Sequence, residues 1–179
     1  FGYITTKEIE QLGISKISIP ELISHGLIRK VARGIYIDSK LIEDEFYILQ
    51  KRYSNIIFSY NTACYLLGLS DRAPYKLDVT TISHKKIRDE LNIHYVSEDK
   101  LNIGVISINS PYGNPIKIYN AERCICDIMK NPKEVDMELY NKIINNYFKR
   151  ENKDLSLLED YSKLFNVHEK FEHIMEVLI

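Results

Sequence analysis

Apolar residues recur at helical spacing in two short runs at the start of the chain. Thr5 opens the first run with the Thr-x-x-Glu spacing of a helix cap, and Gly13 suits the left-handed position that follows a helix. The second run has two compatible starts. Ser15 caps it in one, whereas in the other Ser18 caps a later helix with Pro20 in its first turn. The pattern therefore predicts two short helices joined by a glycine turn.

Alternating apolar residues then predict a β-hairpin with a basic tip. Residues 27–37 read Leu-Ile-Arg-Lys-Val-Ala-Arg-Gly-Ile-Tyr-Ile, and Gly34 can supply the positive φ of a tight turn. Helix, glycine turn, helix and basic hairpin is the element order of a winged helix-turn-helix, which reads DNA. We expect DNA contacts from the front of the second helix and from the hairpin, at Ser15, Lys16, Ser18, Arg29, Lys30 and Arg33.

The remaining residues predict a second domain of mixed composition. A helix capped by Ser59 ends at Gly68, and Asn120 is placed to cap another. Period-two alternation predicts strands at 77–82, 93–96, 103–108 and 116–119. Helical spacing predicts a connecting helix over 41–53 and helices from Asp136 onward.

The predicted fold class is α+β, with two domains. An N-terminal winged helix-turn-helix occupies residues 1–40, and a mixed α/β domain with a helical C-terminal part occupies residues 41–179.

The distribution of charge supports the prediction of an N-terminal DNA-binding domain only slightly. The whole chain has a net charge of −1, so any affinity for DNA must come from a local patch. Residues 1–40 carry six basic and four acidic side chains, a net +2, whereas residues 119–179 carry nine and twelve, a net −3. The small N-terminal excess and the short second helix leave open a winged helix that binds only protein.

The cysteines and glycines exclude several kinds of chemistry. Cys124 and Cys126 are two apart on a predicted helix and point to different faces, so core packing is expected rather than zinc binding. Three cysteines in apolar or helical runs indicate a reducing cytoplasm, and no apolar run is long enough to cross a membrane. No glycine-rich phosphate loop is present. We expect no metal, no cofactor and no enzymatic activity.

One catalytic alternative remains in the residues. Asp78 followed by Glu98-Asp99-Lys100 resembles the carboxylate pattern of metal-dependent nucleases, although the triplet lies in a polar stretch that is expected to be a loop.

A helix holding Glu122, Arg123 and Asp127 is expected to be structural or partner-facing, because Arg123 and Asp127 are four apart and can pair.

Four segments together resemble a known family. Residues 26–36 follow the pattern G-x-L-x-R-V-x-R-G-x-Y, with Ile28 and Lys30 at the leucine and first arginine positions. Similar segments follow in the family's order at 59–69, 77–80 and 120–127. On these motifs the chain resembles the AbiEi-type antitoxins of type IV abortive-infection toxin–antitoxin systems.

The resemblance implies a function for each domain. The winged helix would bind inverted repeats in its own promoter and repress the operon. Residues 41–179, with the Glu122, Arg123 and Asp127 motif, would counter a nucleotidyltransferase-like toxin without needing stable contact. The alternatives are a metal-dependent nuclease guided by a winged helix and a transcription regulator that senses a ligand.

Overall fold

The computed structural model of the chain describes residues 2–82 and 87–178, and it contains helices and two β-sheets, as the predicted α+β class requires. Two compact units are present. The first comprises residues 1–54 with 108–116, and the second comprises residues 55–107 with 117–179. The predicted domain boundary after residue 40 therefore falls inside the first unit.

The first unit has two strands and two helices in the predicted helix–helix–hairpin order, with one strand ahead of them and one helix after them. In chain order its elements are β1 (Tyr3–Thr5), α1 (Thr6–Gln11), α2 (Ser18–Ser24), β2 (Ile28–Ala32), β3 (Ile35–Asp38) and α3 (Glu45–Arg52). The sheet is antiparallel with the order β1-β3-β2. The predicted hairpin is thus confirmed, and Gly34 has the expected positive φ of 72°.

Three details of this unit correct the sequence-based expectations. Helix α2 takes the later of the two starts that the sequence left open, after Ile17, but neither Ser15 nor Ser18 caps it through a side chain. The connecting helix begins at Glu45 rather than at residue 41, because the carboxylate of Asp44 accepts the Tyr47 N–H and caps it there. Strand β1 was not predicted, since three residues are too few to show an alternation.

One face of this sheet packs against α1 and α2. Residues opposite each other in an antiparallel pair share a face, and Tyr36 is opposite both Ile4 and Lys30. Tyr36 forms a buried cluster with Ile9 of α1 and Ile19 of α2. The two short helices are therefore held by burial of apolar side chains on the sheet, because isolated helices of this length are unstable in water.

The other face of the sheet carries Tyr3, Ile37 and Arg29, which are also opposite one another. Tyr3 contacts Tyr47 of α3, with 5.0 Å between the ring centroids. Helix α3 and the segment that leads into it therefore lie on the side of the sheet away from α1 and α2.

The second unit contains a five-stranded mixed sheet and the remaining helices. Its elements are β4 (Ile57–Phe58), α4 (Tyr60–Leu66), β5 (Asp78–Ile82), β6 (Asn92–Val96), α5 (Glu98–Leu101), β7 (Val105–Asn109), β8 (Pro115–Tyr119), α6 (Ala121–Lys130), α7 (Met137–Phe148), α8 (Leu155–Leu164) and α9 (His168–Leu178), with a 3₁₀ turn at Pro132–Glu134. The sheet order is β6-β5-β4-β8-β7. Residues 108–116, which comprise the turn from β7 to β8 and the adjoining ends of both strands, belong to the first unit.

The four strands predicted for this part are present, and one of its two predicted caps forms. Asn120 caps α6 by accepting the Arg123 N–H, whereas the Ser59 hydroxyl precedes α4 but instead accepts a hydrogen bond from Thr80. Residues 98–100 form the short helix α5, so the expectation of a loop was wrong. Strand β4 was not predicted, because two residues carry no period.

Helix α6 lies at the centre of the second unit. Nine of its ten residues are buried, including both Cys124 and Cys126. The prediction that these cysteines pack in the core is therefore confirmed. Within residues 2–82 and 87–178, no helix combines the length and apolar character needed to cross a bilayer.

Candidate nucleic-acid interface

The tip of the β2–β3 hairpin is attached to the start of α1. The backbone N–H of Thr6 donates to the Gly34 carbonyl at 2.9 Å, and the Thr6 hydroxyl donates to the same oxygen at 3.3 Å. The turn of the hairpin and the first helix of the pair are therefore fixed to each other, so the backbone that carries the basic side chains near the turn has a defined position.

Lys30 and Arg33 are the predicted residues that are free to meet a ligand. Lys30 is exposed and, as the partner of Tyr36, lies on the side of the sheet that carries α1 and α2. Arg33 is exposed at the turn. Neither side chain makes an ion pair or a hydrogen bond with any residue in the described part of the chain. Their charges are therefore available to phosphate groups.

Arg29 has a different environment from its neighbour Lys30, because successive strand residues point to opposite faces. Its guanidinium pairs with Glu43 and donates to the Leu41 carbonyl at 2.9 Å. Arg29 therefore connects β2 to the segment that leads into α3. Arg29 and Lys30 therefore lie on opposite faces of the sheet, although the sequence predicted that both belong to one basic DNA-binding hairpin.

The three predicted residues at the front of α2 are close together and solvent-accessible. Lys16 pairs with Glu10 at 2.7 Å, with both side chains about half exposed. The Ser15 hydroxyl accepts the Ile17 N–H at 3.2 Å, and Ser18 is partly buried. An exposed ion pair of this kind is weak, so Lys16 can exchange Glu10 for a phosphate at little cost.

A second polar feature of the first unit was not identified from the sequence. Asp44 is fully buried, and its carboxylate accepts hydrogen bonds from the Ser110 hydroxyl at 2.5 Å and the Asn114 amide at 2.8 Å. Its backbone N–H donates to the Tyr3 hydroxyl at 2.6 Å. The sequence interpretation started this helix at residue 41, so it missed both the cap at Asp44 and the partners of Asp44, which are 66 and 70 residues away.

The predicted motif of the second unit lies in the interior. Arg123 is completely buried, and its Nε–H donates to both carboxylate oxygens of Asp127. One Nη of Arg123 donates to the carbonyls of Lys100 and Ile103, each at 3.1 Å. Burial raises the pKa of Asp127, and the adjacent guanidinium opposes that shift. The predicted Arg123–Asp127 pair is confirmed.

Glu122 lies at the same end of α6 and is also buried. It accepts the Tyr147 hydroxyl at 3.1 Å and the Asp154 N–H at 3.3 Å. The three motif residues therefore connect α6 to α5, α7 and the start of α8. Their contacts hold helices together and leave little of these side chains at the surface.

The carboxylates of the nuclease alternative do not meet. Asp78 is the first residue of β5, and its carboxylate lies 3.0 Å from Nε2 of His94. Glu98 follows the end of the parallel strand β6. Asp78 is at the first position of the β5–β6 pair and Glu98 follows the last, and the pair is four residue steps, or about 13 Å, long. Within the described ranges, no group of three or more His, Cys, Asp or Glu side chains is arranged to hold a metal ion.

The N-terminal segment of the chain is similar to a known protein family. The family described as "Transcriptional regulator, AbiEi antitoxin" matches residues 1–37. The resemblance to AbiEi antitoxins is confirmed over this segment. The matched residues contain α1, α2, β2 and nearly all of β3, and with them all six predicted DNA-binding residues.

A solved structure has a similar fold over most of the chain. The crystal structure of the RV2827C protein from Mycobacterium tuberculosis aligns with a TM-score of 0.61 and 14% sequence identity. The alignment covers 90% of this chain and 66% of that one. The similarity therefore concerns fold, and this chain spans only part of the length of that protein. No curated protein sequence matches the chain significantly.

Proposed function

We propose that the protein is an antitoxin and transcriptional repressor of the AbiEi type, which binds promoter DNA through a winged helix-turn-helix in its first unit. The observation that carries this proposal is the position of Lys30 and Arg33. Both are exposed and without an ion-pair or hydrogen-bond partner among the described residues, and they lie in the segment that matches an antitoxin regulator family.

The order and packing of the elements support this use. Helices α1 and α2 pack on one side of the β2–β3 hairpin, as the two helices of a winged helix-turn-helix do. Helix α2 then corresponds to the helix that enters the major groove, and the hairpin corresponds to the wing. Lys16 and Ser15 lie just before α2, and side chains at this end of the helix reach bases and phosphates.

The antitoxic part of the proposal concerns residues 41–179 and a nucleotidyltransferase-like toxin. We propose that Glu122, Arg123 and Asp127 keep this part folded and do not touch the toxin, since all three are buried. We also propose that the protein is not an enzyme. In that case, purified protein with Mg²⁺ or Mn²⁺ leaves DNA and RNA intact, and Asp78→Ala and Glu98→Ala have no activity to remove.

A gel-shift titration tests the DNA-binding proposal. The full chain should bind a fragment from upstream of its own gene at least tenfold more tightly than a shuffled fragment of equal length and composition, because specific sites exceed non-specific DNA by far more than that. A reporter driven by the same fragment should be repressed. Equal affinity for the two fragments would contradict promoter recognition.

A growth assay tests the antitoxic proposal separately. Cells that produce the cognate toxin should grow when the full chain is co-expressed. The variant Lys30→Ala/Arg33→Ala should still rescue growth, although it no longer represses the reporter. Loss of rescue in a folded Lys30→Ala/Arg33→Ala variant would show that antitoxicity depends on the DNA-binding surface.

A further inference from the structure

Large apolar side chains are exposed at the connection between α1 and α2. Leu12 is 68% exposed, Ile14 is 41% exposed and Ile17 is 86% exposed. Scattered apolar side chains at a surface are ordinary, but these three lie within six residues of one another. Ile17 has the highest exposed fraction of them and precedes α2 directly.

The backbone holds Ile17 in a fixed position. Its N–H donates to the Ser15 hydroxyl, and the next two N–H groups, of Ser18 and Ile19, donate to the carbonyls of Ser15 and Lys16 at 3.0 and 3.2 Å. The turn therefore continues directly into α2. Exposure of Ile17 is thus a feature of a well-defined turn.

The direction of Ile17 follows from helical geometry. Ile19 is buried in the cluster with Ile9 and Tyr36, so it points at the sheet. Two residues correspond to a rotation of about 200° around a helix axis. Ile17 therefore points away from the sheet, on the outer side of α2, which is the side that a winged helix presents to the major groove.

We infer that Ile17 contacts the C5 methyl groups of thymines in the operator, so that the protein recognises thymine-containing steps by apolar contact. This inference rests on the proposed DNA-binding function and adds the feature of the base that is read. The thymine methyl is the apolar group that base pairs present in the major groove.

The neighbours of Ile17 favour DNA over a protein partner as its ligand. Ser15 and Lys16 are exposed beside it, and hydroxyl and ammonium groups are common donors to phosphate. Lys30 adds a second exposed cation on the face of the sheet that carries α2. An apolar side chain next to an exposed lysine and an exposed hydroxyl suits the mixed apolar and anionic surface of a DNA groove.

The experiment compares one promoter fragment prepared with thymine and with uracil, which lacks only the C5 methyl. Wild-type protein should bind the uracil DNA about fourfold more weakly for each methyl group contacted. Ile17→Ala should bind the thymine DNA more weakly than wild type and show no preference between the two. Ile42→Ala, another highly exposed isoleucine of the same unit, is the matched control and should keep the preference.

The outcomes separate the inference from the function on which it rests. If wild type binds thymine and uracil DNA equally, or if Ile17→Ala keeps the preference, the inference is overturned while DNA binding stands. Binding to neither fragment overturns the proposed function as well. If wild type self-associates in light scattering and Ile17→Ala does not, with equal binding of both DNAs, Ile17 contacts a second copy and the inference is overturned. Circular dichroism should show Ile17→Ala folded, because little of this side chain is buried.

Discussion

The guanidinium of Arg123 donates through Nε to both carboxylate oxygens of Asp127, at 2.9 and 3.0 Å, one turn along the same helix. The guanidinium carbon lies 4.2 Å from the ring centroid of Tyr119 and 4.0 Å from that of Phe165. A delocalised cation between aromatic faces is stabilised by their quadrupoles, which compensates in part for its removal from water. The pair is therefore a buried ionic contact at the centre of the second unit.

Arg123→Ala should lower the free energy of unfolding by about 3–5 kcal/mol, because the substitution leaves the buried Asp127 carboxylate without its cation. Urea unfolding measures this change. The matched control is Lys163→Ala, which breaks the exposed pair with Glu159 at the same spacing of four residues and should leave stability unchanged. A similar small effect for both substitutions would show that Arg123 does not stabilise the unit.

Gly104→Ala should destabilise the protein more than Gly113→Ala. Both glycines have positive φ, of 80° and 86°, so each alanine carries backbone strain of about 1–3 kcal/mol. At Gly104 the added Cβ would also lie 2.8 Å from Arg123 Cβ and from Asn120 Oδ1, whereas at Gly113 it meets open space. The difference between the two urea midpoints isolates the steric part, and equal midpoints would contradict the close approach at Gly104.

Lys30→Ala and Arg33→Ala should each weaken promoter binding and reduce the slope of log K against log salt by about one unit for each phosphate group that the protein no longer neutralises. Fluorescence anisotropy at several salt concentrations measures both quantities. Lys133→Ala, which removes an exposed cation from the second unit, should leave the slope unchanged.

Arg29→Ala should behave differently from its neighbours. Because Arg29 pairs with Glu43 and the Leu41 carbonyl, its removal should lower thermal stability while the salt slope stays within about half a unit of wild type. A slope reduced by a full unit in Arg29→Ala, with unchanged stability, would place this side chain on the DNA instead.

Thr5→Ala should make the protein less stable at pH 7 and should raise the pKa of Glu8. The Thr5 side chain and then its backbone N–H hold the pKa of Glu8 below its usual value of 4.5, with Lys51 adding to the effect. This lowered pKa contributes stability above pH 4.5, and the contribution is lost as the pH falls through the pKa of the folded protein.

The loss of the helix cap in Thr5→Ala should amount to about 1 kcal/mol at pH 7. The difference from wild type should become smaller as the pH falls below 4.5, the usual pKa of a glutamate. Carboxyl NMR titration follows Glu8, and urea unfolding follows stability. Ser15→Ala, which removes an exposed hydroxyl beside α2, is the control and should not move the Glu8 titration. An unchanged Glu8 titration in Thr5→Ala would show that the capping box has no electrostatic effect.

Local signals predicted several features whose causes are local. The Thr5–Glu8 capping box, the hairpin turn at Gly34, the Asn120 cap and the Arg123–Asp127 pair each depend on residues no more than a few positions apart. Such contacts are visible as spacings in the chain, and all of them form.

Other features were invisible in the sequence because they depend on partners far along the chain. Strand β1 exists because three residues pair with β3, and β4 exists because two residues lie between β5 and β8. The late start of α2 was left open by the sequence, since competing caps at Ser15 and Ser18 have similar local energies.

The sequence by itself determined the order of helices and hairpin, the basic character of the hairpin and the resemblance of its first 37 residues to an antitoxin regulator family. Only the tertiary structure decided which cations are free. Arg29 and Lys30 are adjacent and chemically alike, but the pleat of β2 turns one towards Glu43 and the other towards solvent beside α1 and α2. Likewise, Asp44 and Ser110 meet only because folding brings together residues 66 positions apart. Spacing along the chain reveals contacts between residues within about one turn, whereas the strand pairing that orients a side chain and the distant partner that binds it depend on tertiary packing.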